Sequence, residues 1–450
     1  MDSLDRVCET VLDRVSPDAD ERDRLDLIAA ELTQAADRAI STLPVDAEVI
    51  RVGSTARGTW LAGDRDIDLF VRFSPELDRD DLERYGLQIG HTVLPDGHEE
   101  YAEHPYVTGT YEGFDIDLVP CYAVEDASGL VSAVDRTPFH NEYLAACLTD
   151  ELREAVRVCK RFFKGIGVYG SDLKTQGFSG YLTELLVVEH GGFAPLVDAA
   201  AEWRPPVVYD PESHGTSHFD DPLVVIDPTD SDRNVAAVVS AENVARLQHY
   251  ARELRADPQL ELFFPPPVEP LSPAELDAHL RRRETAVLAI VFETPDIVED
   301  QLYPQLRKSR RGLVSELDRC GFGVCRSTTF ADTQSVILVE LETDTLPAIE
   351  RHEGPPVHVR PHAEGFTTAY ESTADVYGPF LDGDRYVVER PREFTDVRAL
   401  LQSDQIFEVG LGTHIESALE SGYDIRSGDE LSTLCEPFGR ALREYFEPTP

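Results

Sequence analysis

The stretch VGSTARGTWLAGDRDIDL, residues 52–69, predicts the fold around it. A hydrophobic strand leads into a turn at Gly53 and Ser54, and a helix is expected after the turn. The stretch then enters a second predicted strand, in which apolar and acidic residues alternate. Because successive side chains of a strand point to opposite faces, Asp66 and Asp68 are predicted to share one face.

A third acid belongs to the same pattern. Asp117 lies in a further predicted strand, GFDIDLVP at 113–120. Acids occupy 85 of the 450 positions, so an Asp-x-Asp pair by itself arises many times by chance. The setting is more specific, because the acids alternate on hydrophobic strands and a Gly-Ser turn precedes them. We therefore expect Asp66, Asp68 and Asp117 to bind divalent metal ions.

This arrangement suits nucleotidyl transfer. Two carboxylates on one face of a strand can hold two Mg²⁺ about 4 Å apart. Such ions activate an attacking hydroxyl and stabilise a leaving pyrophosphate. Gly53 would let the backbone approach a phosphate, and Ser54 would offer its hydroxyl and amide at a helix N-terminus. The residues alone thus predict a two-metal nucleotidyltransferase and nothing narrower.

The charge of the chain is unusual. There are 85 acids against 41 bases, the formal net charge is −44, and only four of the bases are lysines. The acids are spread among ordinary hydrophobic patterns, which indicates a folded, acid-coated surface rather than a disordered tail. Such lysine-poor proteins resemble those of halophiles that accumulate salt, where a Debye length of about 3 Å screens self-repulsion. The charge therefore indicates habitat, and it permits an RNA partner without suggesting one.

A chain of 450 residues is expected to form two to four domains. We predict an α+β multidomain protein with a catalytic head over 1–142, a mainly helical central domain over 143–265, and an α+β body and tail over 266–450. Helical patterns dominate from residue 141 onward, and Pro265-Pro266-Pro267 marks the second boundary. Within the central domain a proline-rich loop over 205–229 and a helix over 234–255 are expected.

The sequence also indicates the cellular compartment. It has no run of eighteen apolar residues and no secretory signal, and its seven cysteines are scattered without a framework spacing. We therefore predict a cytoplasmic protein with reduced thiols and no membrane partner. Whether the chain forms a homodimer is left open.

Longer motifs connect the chain to a known family. They are GSTARGTWL at 53–61, GDRDID at 63–68, YAEHPY at 101–106, DLVPC at 117–121, DRTPFH at 135–140, GVYG at 167–170, GFSGY at 177–181, RNVA at 233–236 and LYPQL at 302–306. In this order they resemble the archaeal (class I) CCA-adding enzymes, which are tRNA nucleotidyltransferases of the polymerase-β-like superfamily. The resemblance is strong to about residue 320 and looser beyond it.

The resemblance implies a polymerase-β-like head, two Mg²⁺ ions, and template-independent addition of C, C and A to the tRNA 3′ end from CTP and ATP, with release of pyrophosphate. It implies that the catalytic and metal-binding acids are Asp66, Asp68 and Asp117. It implies that the nucleotide-binding residues are Gly53, Ser54, Arg57, Thr137, His140, Lys160, Tyr169 and Arg233. It also places His104 near the site. The family often has Glu where this chain has Asp66, so a small shift in metal position is expected there.

The lysines support this interpretation independently. Three of the four lie between Lys160 and Lys174 in a chain that otherwise uses arginine. A point charge on a flexible stem suits a triphosphate, whereas arginine favours planar, bidentate partners. A second basic group, Arg281–Arg283 with 307–311, would contact tRNA phosphates or else pair with acids of its own chain.

Three rival functions stay open at this point. One is a metabolite- or antibiotic-modifying nucleotidyltransferase, although such chains are usually shorter and lack the long C-terminal region. A poly(A) polymerase-like or oligoadenylate synthetase-like enzyme would use ATP alone and would not stop after three additions. A catalytically silent RNA-binding protein would keep the fold without turnover, and the presence of all three acids argues against it.

Overall fold

The computed structural model describes residues 3–125 and 129–450. Apart from the terminal Pro450, the chain divides into two compact units, one ending at Pro266 and one running from Pro267 to Thr449.

The helices of the first unit are α1 (Ser3–Val15), α2 (Ala19–Ile40), α3 (Gly53–Arg57), α4 (Arg79–Val93), α5 (Thr137–Cys147), α6 (Asp150–Gly165), α7 (Gly180–His190), α8 (Phe193–Ala201) and α9 (Ala241–Ala256). Its strands are β1 (Ala47–Val52), β2 (Asp66–Phe73), β3 (His98–Tyr101), β4 (Pro105–Tyr111), β5 (Phe114–Tyr122), β6 (Val207–Tyr209), β7 (Leu223–Asp227) and β8 (Asp230–Asn234).

A mixed sheet, ordered β1-β2-β5-β4-β3, carries the predicted acids. Strands β2 and β5 pair in parallel, and the other neighbours pair antiparallel. Helix α2 begins at a capping box formed by Asp18 and Glu21. Its buried residues repeat at helical spacing and, with α4, cover one face of the sheet. The opposite face of β2 and β5 carries the aspartates.

A separate helical core lies in the same unit. It is built from α1 and from α6 to α9, with Phe162, Phe163, Phe178 and Phe263 among its fully buried side chains. Helix α1 contributes Val11 and Val15 to this core rather than to the one beneath the mixed sheet. Strands β6, β7 and β8 form a small sheet beside it.

The helices of the second unit are α10 (Pro273–Arg283), α11 (Glu299–Cys320), α12 (Arg360–Tyr370), α13 (Val397–Leu401), α14 (Thr413–Ser421) and α15 (Cys435–Phe446). Its strands are β9 (Ala286–Glu293), β10 (Val324–Ala331), β11 (Gln334–Leu341), β12 (Ile349–Pro356), β13 (Tyr377–Asp382), β14 (Arg385–Pro391) and β15 (Tyr423–Ser427). The sheet β10-β11-β9-β15 has an apolar cluster on each face, and β12-β14-β13 form a second sheet with α12 against it.

The α+β multidomain class is confirmed, while several local predictions are wrong. The expected loop at 205–229 contains β6 and β7, and the helix expected over 234–255 begins only after Ser240, whose side chain caps α9. Strand β3 and the elements beyond β11 were not predicted. Short or exposed strands such as β3 and β13 lack the apolar alternation on which strand prediction depends.

Two further predictions concern the chain as a whole. All seven cysteines are free thiols, as expected. Within residues 3–125 and 129–450, no helix combines the length and the apolar character that crossing a bilayer requires.

The end of α6 provides a test of packing in the first unit. A Cβ added to Gly165 would overlap with the backbone carbonyls of Leu262 and Phe263. We expect Gly165→Ala to lower the free energy of unfolding by about 2 kcal/mol, because backbone cannot give way cheaply. Denaturant unfolding at constant KCl measures this change.

The matched control is Gly365→Ala in α12, where an added Cβ meets nothing within 4 Å. This variant is expected to be neutral or to gain up to about 1 kcal/mol from helix propensity. Equal unfolding midpoints for the two variants would contradict the packing assigned to Gly165.

Candidate active site

The strand register assembles a patch of four carboxylates. Asp68 pairs with Asp117 across the parallel β2–β5 ladder, and Asp66 pairs with Asp115. Paired residues of neighbouring strands point to the same face and lie about 5 Å apart. Val52, the last residue of β1, pairs with Asp68 from the other side. The three acids predicted from the sequence are therefore brought together.

Asp115 is the member of this patch that was not predicted. It is exposed and accepts a hydrogen bond from the Thr110 hydroxyl at 3.2 Å. The alternation that groups Asp66 with Asp68 also groups Asp115 with Asp117, so the signal was present in the sequence.

The carboxylates raise one another's pKa values. Burial, together with the charges of Asp117 and Asp66, raises the pKa of Asp68 to about 6. Burial also raises the pKa of Asp117, against a hydrogen bond with Thr108. For Asp66, burial and the neighbouring acids raise the pKa, and Lys164 partly offsets them. Grouped acids of this kind favour a bound cation that would relieve their repulsion.

Gly53 allows the turn to lie against the acids. Its φ of 79° is in the left-handed region, and a Cβ there would overlap with Oδ2 of Asp68. Ser54 follows directly in α3, and its carbonyl accepts the N–H of Thr59 at 3.0 Å. The glycine is thus required both by its backbone conformation and by the approach of a carboxylate.

The donor set of the patch fits a hard divalent cation, which prefers carboxylate oxygens. Among the described residues, however, no three acid, histidine or cysteine side chains are arranged as a ready-made metal site. Mg²⁺ commonly takes only one or two protein carboxylates and completes its shell with water and substrate phosphates. The arrangement therefore fits ions that bind together with a nucleotide rather than a preformed protein cage.

A buried network joins α3 to the helical core. Glu184 of α7 is fully buried and accepts hydrogen bonds from Arg57 Nε at 2.9 Å and from the Thr59 hydroxyl. Arg57 Nη2 lies 2.7 Å, and Lys160 Nζ 3.4 Å, from its carboxylate. A third guanidinium nitrogen of Arg57 donates to Asn141 at 3.0 Å. Arg57 and Lys160, both predicted to bind the nucleotide, thus share one acid.

The charges in this network shift one another's pKa values. Burial would raise the pKa of Glu184, but Lys160, Arg57 and the Thr59 hydrogen bond outweigh it and lower this pKa. Burial lowers the pKa of Lys160, and Glu184 partly restores it. Two basic side chains therefore share one buried carboxylate near the patch. Glu184 was not predicted, because an acid within the apolar helix GYLTELLVVEH has no local signal of its role.

Tyr169 lies at the edge of this region. Its ring is 5.3 Å from Lys164 Nζ, which in turn lies 3.4 Å from Asp64. A Cβ added to Gly180 would come within 3.1 Å of the Tyr169 hydroxyl. Burial raises the pKa of Tyr169, with smaller contributions from Glu184 and nearby aspartates. The same added Cβ would lie 3.9 Å from Lys160 Nζ, so the predicted residues Lys160 and Tyr169 are close to one another.

A second cluster gathers two more predicted residues around Asp227. His140 Nε2 lies 2.7 Å from Oδ2 of Asp227, and Arg233 Nη1 donates to the same oxygen at 2.6 Å. The His140 ring stacks on Tyr181 with centroids 3.9 Å apart. Thr137 begins α5, the helix that carries His140. Sequence reasoning missed Asp227, since one more acid in so acidic a chain carries no signal.

The pKa values in this cluster follow from burial and pairing. Burial lowers the pKa of His140, although Asp227 opposes the shift. Burial would raise the pKa of Asp227, but hydrogen bonds from His140 and Thr229 outweigh it and hold this pKa below its ordinary value. The pairing fixes the orientation of His140, while the Arg233 side chain stays 36% exposed.

His104 packs within the protein between α4 and the mixed sheet. Its side chain is buried, its ring meets Tyr122 edge to face at 6.1 Å, and its Nδ1 lies 3.4 Å from Glu83. These contacts stabilise the packing of α4 near the sheet.

Comparisons with known proteins agree along the whole chain. Family models match for the nucleotidyltransferase domain over 33–140, the tRNA nucleotidyltransferase second domain over 154–264, and the CCA-adding enzyme C-terminal domain over 283–428. The CCA-adding enzymes of Halorubrum lacusprofundi and Haloarcula marismortui are each 56% identical to this chain, over 100% of it and 100% of their own length. The CCA-adding enzyme of Methanosarcina acetivorans is 41% identical over 95% of each chain.

The Glu184 network can be tested by removing its negative charge. Glu184→Gln leaves two buried cations without a counter-charge, so we expect a loss of about 3 kcal/mol in the free energy of unfolding at pH 7. Because the folded-state pKa of Glu184 is lowered, its stabilisation is present above its ordinary value of 4.5 and is lost as the pH falls below it. The wild-type and variant unfolding curves should therefore converge in acid.

Glu189→Gln, at an exposed position of the same helix, is the matched control and should change stability little at any pH. A Glu184→Gln variant as stable as this control at pH 7 would contradict the network.

Proposed function

This chain belongs to the CCA-adding enzyme family, and we propose that Asp66, Asp68 and Asp117 form the centre of its reaction. It is a tRNA nucleotidyltransferase that adds C, C and A to the tRNA 3′ end without a nucleic-acid template. The observation that carries the residue assignment is the β2–β5 register, which sets Asp68 beside Asp117 with the Gly53 turn against them.

In each step the 3′-hydroxyl of the tRNA attacks the α-phosphate of CTP or ATP. A new bond forms between O3′ and that phosphorus, the bond to the β-phosphate oxygen breaks, and the hydroxyl proton passes to solvent as pyrophosphate leaves. Nucleotidyltransferases generally use divalent metal ions, here proposed to be two Mg²⁺, which supply positive charge for the attacking and leaving oxygens.

The three acids would hold the metal ions, and the Gly53 turn would orient the triphosphate. Asp68, whose pKa is raised to about 6, lies between the Gly53 turn and Asp117. Gly53 and Ser54 would present backbone N–H groups and a hydroxyl to the phosphates. The absence of a side chain at Gly53 lets those groups come close to the acids.

Arg57 and Lys160 are proposed to act on the phosphates from within the Glu184 network. Glu184 holds both basic side chains in place, with Arg57 Nη2 at 2.7 Å and Lys160 Nζ at 3.4 Å from its carboxylate. Arg57 is close enough to lower the pKa of Asp68 against the neighbouring acids. Tyr169, beside Lys160 and Lys164, is proposed to contact the same nucleotide.

The Asp227 cluster is proposed to recognise the base and ribose through Arg233, His140 and Thr137. Arginine only donates hydrogen bonds. The Watson–Crick ring nitrogens N3 of cytosine and N1 of adenine accept them, whereas the equivalent positions of uracil and guanine carry N–H groups. Asp227 accepts a hydrogen bond from one guanidinium nitrogen of Arg233. Because the Arg233 side chain is partly exposed, its other N–H groups can donate to a base.

We further propose that the head spans 1–142, the central domain 143–265 and the tRNA-binding body and tail 266–450, in a cytoplasmic enzyme. The separate apolar cores of the first unit and its end at Pro266 support this division, except that α1 packs on the helical core of the central domain. For the basic segments of the second unit, both alternatives have support. Arg283 pairs with the buried Glu340 at 2.6 Å, which supports pairing within the chain. Lys308 on α11 is exposed, which makes it a candidate for tRNA phosphates.

Thermal stability tests the metal assignment without turnover. The folded-state pKa of Asp68 is raised to about 6, so the metal-free fold favours the protonated carboxyl. The stabilisation that this proton gives is lost as the pH rises through 6. In EDTA at pH 8, Asp68→Asn should be more stable than wild type by on the order of 2 kcal/mol. The difference in stability should disappear below about pH 4, which is the ordinary pKa of an aspartate.

Adding Mg²⁺ with a non-hydrolysable CTP analogue should then raise the wild-type unfolding temperature and leave Asp68→Asn nearly unchanged. An equal rise for both proteins would place the metal elsewhere.

The activity assay uses purified protein in about 2 M KCl to screen the acidic surface. It contains Mg²⁺ and tRNA transcripts that end at the discriminator base, and products are sized at one-nucleotide resolution. Wild type should add two C from CTP and then one A before stopping. Asp66→Asn, Asp68→Asn and Asp117→Asn should each lower kcat by about a thousandfold or more, since several kcal/mol of charge stabilisation are lost.

Asp115→Asn is the matched control on the same face and should cost less than about tenfold, since one partly screened surface charge is worth little. Full loss in Asp115→Asn with activity retained in Asp66→Asn would move the metal assignment to Asp115. Unlimited addition of A would instead indicate a poly(A) polymerase-like activity.

A further inference from the structure

A cavity of about 350 Å³ lies beside α3, on the side away from the carboxylate patch. The strand register establishes the side. Val52 pairs with Asp68, and Arg51 pairs with Leu69, which is buried beneath α2. Neighbouring residues of a strand point to opposite faces, so Arg51 and the cavity that it lines are on the other face from Asp68.

The lining is strongly basic for this chain. Five arginines, Arg22, Arg51, Arg57, Arg153 and Arg157, line the cavity with two aspartates, Asp26 and Asp150. The whole chain has a net charge of −44, so a surplus of positive charge in one concave site runs against its composition.

Two of these arginines are not neutralised. Arg22 donates to the Pro17 carbonyl at 2.7 and 3.1 Å, and Arg157 donates to the Gly58 carbonyl at 2.6 Å. Among the described residues, neither has a carboxylate within salt-bridge distance. Burial lowers the pKa of Arg157, and the Arg22 charge lowers it further, so the two cations repel each other. An anion between them would remove that repulsion.

Of the other three arginines, Arg57 is paired with the buried Glu184, and Arg51 and Arg153 are only partly neutralised. Arg51 pairs with Asp26 at 2.8 Å and Arg153 with Asp150 at 2.7 Å. Both aspartates are open to solvent, with side chains 67% and 94% exposed, so each pair is weak and readily rearranged.

An unpartnered hydroxyl points to a ligand in the same cavity. Thr55 is 5% exposed, lines the cavity, and its Oγ1 has no hydrogen-bond partner among the residues that the structure describes. The same holds for the buried Nε of Arg157. A buried polar group left without a partner destabilises the fold. A tetrahedral oxyanion with several acceptor oxygens would satisfy the hydroxyl and the guanidinium groups together.

We propose that this cavity binds a phosphate group, at a site separate from the nucleotide phosphates. The source is either a phosphodiester of an RNA strand or a free phosphate compound, since both present the same anionic oxygens. A phosphate group bound there would neutralise Arg22 and Arg157. It would also hold α3 in place from the side opposite the carboxylate patch. The proposal does not depend on the roles assigned to Asp66, Asp68 and Asp117.

The test compares Arg22→Gln and Arg157→Gln with Arg161→Gln. Arg161 is a matched control, because it lies on the same helix as Arg157, donates to one backbone carbonyl at 2.6 Å, and is not part of the cavity lining. The first arm measures the rise in unfolding temperature with inorganic phosphate, in EDTA and at constant KCl. Wild type and Arg161→Gln should respond alike, and the two cavity variants should need about tenfold more phosphate or more.

The second arm measures the affinity of the full chain for a tRNA transcript that ends at the discriminator base. If an RNA phosphodiester is the ligand, each cavity variant should bind about tenfold more weakly, with a salt dependence reduced by about one unit of slope. Inorganic phosphate should compete with the RNA in wild type. Loss confined to the first arm would identify a free phosphate compound as the ligand.

Thr55→Val keeps the proposal testable if an arginine variant fails to fold. Replacing the unpartnered hydroxyl by a methyl group should leave the phosphate-free protein as stable as wild type or more so, and should weaken phosphate binding severalfold. A cavity without a ligand would give the first effect and not the second. The proposal is overturned if neither probe separates Arg22→Gln, Arg157→Gln and Thr55→Val from Arg161→Gln.

Discussion

The carboxylate of Glu184 is fully buried in an apolar helix, and its burial constrains the whole catalytic region. Moving a carboxylate out of water costs several kcal/mol, which only close, well-oriented partners offset. Those partners are Arg57 from the end of α3 and Lys160 from α6, together with Thr59. Contacts with the helical core therefore set the position of α3, although α3 lies between β1 and β2 of the mixed sheet in the chain.

The placement of α3 has consequences on both of its sides. On one side the Gly53 turn comes so close to Asp68 that no side chain fits between them. On the other, the backbone of Gly58 accepts Arg157 and the arginine-lined cavity opens. A short helix thus separates a cluster of acids from a cluster of bases, and each cluster is proposed above to bind a ligand of the opposite charge.

The overall charge of −44 bears on how these clusters work. In molar salt, exposed charges farther apart than about 3 Å are largely screened, whereas buried pairs are screened much less. Long-range attraction of RNA by the surface is therefore weak. Recognition then depends on groups whose positions are fixed at short range. The Asp227 cluster holds His140 and Arg233 in this way, and it is the cluster proposed above to recognise the nucleotide.

The sequence by itself determined what depends on near neighbours. Alternation in DIDLFVRF predicted β2 and placed Asp66 and Asp68 on one face, and the Gly-Ser turn marked where a phosphate could approach. The family motifs then assigned residues that no spacing could single out, among them His140. The same alternation would have revealed Asp115, which was overlooked.

Only the tertiary structure decided which distant groups meet. Arg57 and Glu184 are 127 positions apart, and His140 and Asp227 are 87 apart. In a chain with 85 acids, nothing local distinguishes these two from the rest, because a buried and an exposed acid have the same sequence signal. Their roles follow from packing, since a charge excluded from water must have partners and the fold determines which partners it can reach.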